Sequence, residues 1–356
     1  MRITIFKNAL EIVLNNFQPF LDKRDFSQIT SHIFFKTIDN QLLLRATDYE
    51  ISIQAQIDVS GIEEEGQGTV SGKQILEIIK RLRDDKEISL ISDDESLIIK
   101  QGRSQFKLPM FNAEEFPKFP NYTTETKIQI PSSQFINAIK KINPAVGTNN
   151  PKIELNGALL NIKEYMIDFV ATDTRRLALM KYDTQSIATL SIIIPKKALN
   201  EIQKLCIDEL DLYHNENQLI IKTGIYTFST KLTNGRFPDY ERIIPKAFTH
   251  TLELPKNDFI SAIRIINSVS QEIKMTFRQN EILFESMSSE NSQGSTQCEI
   301  QTNFENEFSI GINSKSLLDF LAQVGEDRFT LCLNEANNPF MVKSENFSTI
   351  IMPIIL

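Results

Sequence analysis

Two short segments concentrate side chains that could do chemistry. Thr172-Asp173-Thr174-Arg175-Arg176-Leu177-Ala178 breaks a strand-like alternation with two adjacent arginines. Gly235-Arg236-Phe237-Pro238-Asp239-Tyr240-Glu241-Arg242-Ile243-Ile244-Pro245 packs aromatics, prolines and charges into a nonperiodic link. The chain ends in the apolar run Ile350-Ile351-Met352-Pro353-Ile354-Ile355-Leu356. These three segments are too particular to be scaffold alone. Pro353 is expected to end sheet pairing and leave Ile354 to Leu356 free to line a site.

Catalytic and metal chemistry find no support. His32, His214 and His250 are isolated, and neither H-E-x-x-H, a glycine-rich phosphate loop nor G-x-S-x-G occurs. Cys206, Cys298 and Cys332 are far apart and odd in number, which supports neither a disulfide framework nor a zinc site. Glu63-Glu64-Glu65 and Asp93-Asp94-Glu95 read as solvated loop acids. The expectation is a protein without metal or cofactor that is not an enzyme.

The elements that must carry these residues repeat. Lys127 to Ile139 returns as Thr251 to Ile263 at a shift of 124, and Arg2-Ile3-Thr4-Ile5 with Leu10, Val13 and Leu14 is a looser copy at 125. Ala46-Thr47-Asp48 returns as Ala171-Thr172-Asp173, and Gly102, Phe106, Phe116 and Pro117 return as Gly224, Phe228, Phe237 and Pro238. Repeats this long are whole domains. The chain of 356 residues therefore divides into 1–122, 123–246 and 247–356. Within each unit, apolar residues alternate at period two, then recur at helical spacing, twice over. The predicted fold class is α+β, three tandem copies of two amphipathic helices against antiparallel sheet. A lysine opens the second predicted helix of every copy, at Lys73, Lys197 and Lys315.

The net charge of −8 argues against attraction to nucleic acid over the whole surface, but leaves room for one basic face. No apolar run approaches a membrane span and the first residues lack a secretory core, so a cytoplasmic protein is expected.

At these residues the chain resembles the bacterial replicative sliding clamp, the beta subunit of DNA polymerase III. Thr172 to Ala178 follows the family's T-D-G-H-R-L-A motif with Thr174 for Gly and Arg175 for His. Gly235 to Pro245 follows G-[RK]-F-P-D-Y-x-R-[VI]-[LI]-P without departure, and Met352 to Leu356 follows M-P-[MIV]-x-L. The resemblance covers the whole chain. It implies a head-to-tail homodimer whose six domains close a ring around double-stranded DNA without regard to sequence. It also implies a pocket that takes short peptides of the DNA polymerase III catalytic subunit, the clamp loader and repair proteins. Pocket positions carried over are Leu155, Thr172, Arg175, Arg176, Leu177, Pro238, Arg242 and Ile243, followed by Pro339, Ile350, Met352, Pro353 and Ile354. Arg24, Lys73, Arg103, Asn149, Lys152, Lys196 and Lys197 are expected to face DNA. Ile78, Phe106, Leu108, Val269 and Ile273 are expected at the dimer seam.

Helix dimensions are compatible with such a ring. Two chains of six helices spaced about 9 Å apart give a circumference of about 108 Å and a diameter of about 34 Å. Removing one helix thickness of about 11 Å leaves roughly 23 Å, room for a duplex, whereas one chain alone would leave about 6 Å. An enzyme acting on nucleic acid is disfavoured by the absent catalytic clusters. A linear three-domain adaptor would show the same pocket and repeat.

Overall fold

The computed structural model of the chain describes residues 1–22, 28–93, 95–185, 189–287 and 293–356. The first repeat runs β1 (Arg2–Phe6), α1 (Lys7–Phe17), β2 (His32–Ile38), β3 (Gln41–Thr47), β4 (Ile51–Asp58), β5 (Gly61–Glu64), β6 (Gln67–Ser71), α2 (Gly72–Arg81), β7 (Glu87–Ser92), β8 (Ser96–Gln101) and β9 (Ser104–Pro109). The second runs β10 (Thr126–Ile128), α3 (Ser132–Ile142), β11 (Gly157–Ile162), β12 (Met166–Thr172), β13 (Arg176–Asp183), β14 (Leu190–Pro195), α4 (Lys196–Leu205), β15 (Asp211–His214), β16 (Gln218–Thr223) and β17 (Tyr226–Lys231). The third runs β18 (His250–Pro255), α5 (Lys256–Asn267), β19 (Glu272–Arg278), β20 (Glu281–Ser286), β21 (Ser295–Glu299), β22 (Phe308–Asn313), α6 (Ser314–Leu321), β23 (Arg328–Leu333), β24 (Phe340–Ser344) and β25 (Phe347–Ile351).

Local chemistry explains the helices. Ser71 caps α2 by accepting from the Gln74 amide, Ile75, Leu76 and Ile79 bury one face, and Lys80 and Arg81 complement the dipole at its end. Asn313 caps α6 in the same way, and Leu317, Phe320 and Leu321 form its buried face. The hairpins β8–β9 and β16–β17 turn through Gly102 (φ +58°) and Gly224 (φ +52°), a conformation that suits a residue without Cβ.

Among the described residues four antiparallel sheets form, in the orders β5-β1-β7-β8-β9, β10-β15-β16-β17-β4-β3-β2-β6, β14-β11-β12-β13-β25-β24-β23-β18 and β21-β20-β19-β22. Both longer sheets are composite. In each, the last strand of one repeat pairs with the third inner strand of the repeat before it: β17 with β4 and β25 with β13. Two compact units result, Met1–Ser133 with Glu201–Leu232, and Gln134–Asn200 with Thr233–Leu356. They cut across the expected domain boundaries because strand pairing does. In the first unit Phe20 packs edge-on against Phe228 at 5.7 Å; in the second Phe259 meets Phe284 and Phe329 at 5.2 and 5.3 Å.

Candidate functional site

The site grows from the turn between β12 and β13. Asp173 Oδ1 accepts from the amides of Arg175 and Arg176, both at 3.0 Å, and Thr172 Oγ1 donates to the Arg176 carbonyl at 2.6 Å while accepting from the Thr174 amide. Thr174 is thereby held at φ +80°. The turn between β3 and β4 repeats these bonds one for one through Thr47, Asp48, Tyr49, Glu50 and Ile51, with Tyr49 at φ +71°. Sequence and hydrogen bonding thus copy together. In the second repeat the turn carries Arg175 and Arg176.

Pairing of β13 with β25 sets Arg176 opposite Ile351 and Leu177 opposite Ile350, and the Met352 amide donates to the Arg175 carbonyl at 2.8 Å. Leu155, Leu177 and Ile350 join Leu159, Val170, Leu179, Ile193, Phe237 and Tyr240 in one buried apolar cluster, with Ile244 and Met341 packed against it. The link contributes buried Phe237 and Tyr240, half-buried Pro238, and exposed Arg242 and Ile243. Arg242 is paired with Asp239 at 2.7 Å. Arg175 and Met352 are exposed, and Pro339, Pro353 and Ile354 are partly so. A buried apolar base thus lies beneath exposed isoleucine, methionine and arginine, a surface able to take apolar side chains of a partner.

Two expectations need correction. Arg176 does not offer its guanidinium to a partner: it is 7% exposed, and Nε, Nη1 and Nη2 donate to Asp173 Oδ2 (3.0 Å), Asp319 Oδ2 (2.7 Å) and the Pro144 carbonyl (2.5 Å). Nor is the tail free after Pro353, because the Ile354 amide donates to the Gly311 carbonyl of β22 at 2.7 Å. Proline removes its own donor but not the next residue's.

The anchor of the link was not visible in advance. Asp168, fully buried on β12, accepts from Tyr240 Oη at 2.6 Å and Lys163 Nζ at 2.9 Å, while its Oδ1 has no partner. Asn161 also donates to Tyr240 Oη. Burial, then the hydrogen bond to Asp168, raises the Tyr240 phenol above its usual range. An aspartate within the apolar run Met166 to Ala171 was the available signal.

The comparisons with known proteins decide the family. Models of the DNA polymerase III beta subunit match along the chain: its N-terminal domain at residues 1–120, its central domain at 129–239 and its C-terminal domain at 241–355. The chain belongs to the DNA polymerase III beta subunit family. Members are beta sliding clamps, processivity factors rather than catalysts, and the chain is a clamp in this sense. It is 37% identical to the beta sliding clamp of Helicobacter pylori over the full length of both, and 25% identical to that of Haemophilus influenzae, also at full length. The crystal structure of the Helicobacter pylori beta clamp bound to a DNA ligase peptide superimposes with a TM-score of 0.95 at 38% identity, covering all of both chains. That of the Pseudomonas aeruginosa beta subunit shares the fold, with a TM-score of 0.92 at 24% identity.

The remaining clamp positions separate by exposure. Lys73 on α2, Arg103 in the β8–β9 turn, Asn149 (φ +54°), Lys152 and Lys197 are exposed; Arg24 lies outside the described residues. Lys196 is committed: its Nζ donates to the Val146 carbonyl at 2.7 Å and Thr148 Oγ1 at 2.6 Å, and burial followed by the nearby cations Lys315 and Arg176 lowers its pKa. It fastens the loop carrying Asn149 rather than reaching outward. At the expected seam, Phe106 and Val269 are exposed and Ile78 half-buried. Leu108 is buried, and Ile273 is completely enclosed on β19, so the side chain of Ile273 has no surface to offer another chain. Among the described residues no helix is long and apolar enough to cross a membrane.

Proposed function

We propose that two copies of this chain join head to tail into a ring that encloses duplex DNA, and that the surface around Leu155, Leu177, Ile243, Ile350 and Met352 tethers the replicative polymerase, the loader and repair proteins to it through short peptides. The observation that carries this reading is the repeated sheet junction. The last strand of repeat two pairs with β4 and that of repeat three with β13, which leaves β9 and β21 as the corresponding strands without such a partner among the described residues. Open edges of this kind are templates for pairing with another chain. A copy's β9 on another's β21 would use the same junction a third time, and two such joins close a symmetric dimer.

The register can be carried over as well. Tyr226 stands opposite Ala55 and Phe228 opposite Ile53; the equivalent positions are Ser104 with Thr296, and Phe106 with Gly294. A Cβ on Gly294 would lie 3.3 Å from Val269, so the Phe106 ring would cover exposed Val269. The same register sets Gln101 against Glu299, and Gln101 holds Arg83 beside a pocket also lined by Arg81, Lys86 and Arg103. Opposite charges would meet there. For the tether, the peptide bound by the Helicobacter pylori relative supports the reading.

The decisive experiment loads the protein onto nicked circular DNA and then linearises it. A ring slides off the ends; retention on the linear product rejects encirclement in favour of surface binding by a linear adaptor. A Ser104→Cys, Thr296→Cys, Cys298→Ser variant is expected to form a disulfide-linked dimer on oxidation, and a persistent monomer would reject the register. For the docking surface, Met352→Asp is expected to weaken a DNA ligase peptide at least tenfold with the dimer intact; unchanged affinity would reject that assignment.

A further inference from the structure

The first repeat carries a pocket of about 620 Å³ lined by Ile29, Thr30, Tyr49, Met110, Phe111 and Glu115, with Gln28 and Asn112 at its margin. It is built from the same parts as the docking surface of the second repeat. The short helical turn Ile29–Ser31 matches Ile153–Asn156, so that Thr30 takes the place of Leu155. The turn Thr47 to Ile51 matches Thr172 to Arg176 bond for bond, and Phe116-Pro117 matches Phe237-Pro238.

Three observations separate this pocket from a leftover of duplication. Large apolar side chains stay in solvent around it: Tyr49 is 56% and Phe111 37% exposed. Thr30, 1% exposed in its wall, has a hydroxyl without a hydrogen-bond partner among the described residues, which a ligand group could satisfy. The rim charges are inverted relative to the second repeat. Glu50 stands where Arg175 stands there, and Glu115 where Arg236 stands. Glu50 shares its charge with Lys231 at 3.6 Å, whereas the Glu115 carboxylate accepts from the Asn112 side-chain amide at 3.5 Å.

We propose that this pocket is a second docking site, one that takes a basic partner segment with a bulky apolar side chain, opposite in charge preference to the arginine-rimmed surface of the second repeat. Charge complementarity selects the occupant: among the described residues that line the pocket, Glu115 is the charged one and none is a cation. The bulky side chain would rest between Tyr49 and Phe111 over Met110 and Ile29. The proposal does not depend on whether the second-repeat surface binds peptides.

Two synthetic hexapeptides test it, Lys-Arg-Leu-Trp-Phe-Lys and Glu-Asp-Leu-Trp-Phe-Glu. The chain has no tryptophan, so peptide fluorescence reports binding directly, and methyl-labelled Met110 and Met352 report which site is occupied. The basic peptide is expected to shift Met110 saturably and to lose at least tenfold in affinity in Tyr49→Ser. Glu50→Arg with Glu115→Arg should transfer the preference to the acidic peptide, which the unchanged signals of the other methionines would show to occur in a folded chain. No movement of Met110 with either peptide overturns the proposal, as does equal response to both. A Met110 shift that grows with protein concentration in the absence of peptide also overturns it, by making the pocket a contact between copies.

Discussion

Arg176 of the second repeat and Asp319 of the third are joined at 2.7 Å, Nη1 to Oδ2, and Lys315 shares the same carboxylate oxygen at 2.9 Å. One planar guanidinium thereby ties the β12–β13 turn to α6 and, through the Pro144 carbonyl, to the end of α3. The turn that carries Arg175 is braced from behind by the residue that follows it.

Arg176→Ala is expected to cost about 3 kcal/mol, because it strips three charge-assisted bonds from a buried site and leaves Asp319 to Lys315 alone and Asp173 to backbone amides alone. Arg176→Lys should recover only part, since an ammonium cannot address three divergent acceptors in one plane. Urea denaturation followed at the second unit measures both; equal stabilities of Ala and Arg forms would refute the brace.

Thr174 sits at φ +80°, where a β-branched residue is strained. Thr174→Gly should therefore stabilise the chain by about 1 kcal/mol, visible as a higher midpoint of thermal unfolding. Thr174→Val, which keeps the branch, should gain nothing.

Tyr240→Phe removes the phenol that donates to Asp168 at 2.6 Å and leaves a buried carboxylate with Lys163 alone. A loss of about 2 kcal/mol is expected. Combining Tyr240→Phe with Asp168→Leu should cost less than the sum of the single changes, and strict additivity in that cycle would mean the two groups are not coupled.

His32 is buried, stacked on Phe111 at 4.0 Å, with its Nδ1 3.2 Å from Thr69 Oγ1. Burial pulls its pKa from 6.5 down to about 4. Between those values the unfolded chain binds the proton and the folded chain does not, so stability falls as pH drops from 6.5 toward 4 and this contribution is constant above 6.5. The full loss is about 3 kcal/mol. His32→Gln should flatten that slope; an unchanged pH profile of the unfolding midpoint would assign the slope to other groups.

Alternation and helical spacing made the strands and helices of each repeat legible, because both report local burial. Pairing across repeats was not legible. Nothing in Phe347 to Ile351 distinguishes a partner at β13 from one closer in sequence, since only tertiary geometry chooses among edges of similar apolar pattern. Side-chain direction at the site was equally hidden. Arg175 and Arg176 are adjacent and chemically alike, yet Arg175 lies in the turn and is exposed while Arg176 opens β13 and is buried, where Asp319, far along the chain, makes its burial tolerable. Ile354 shows the limit of reading proline as a stop, because the chain resumed pairing one residue later.

That β25 completes a sheet begun by β13 also has a consequence for synthesis. At ribosomal speeds β13 waits on the order of 10 to 30 s with an unpaired apolar edge before its neighbour has been made. Over that interval the nascent chain is exposed to wrong pairings with other nascent copies, and a ribosome that stalls within the third repeat releases a product whose middle sheet cannot close. Sharing strands between repeats thus makes the synthesis of Phe347–Ile351 a checkpoint for the structure of residues translated long before.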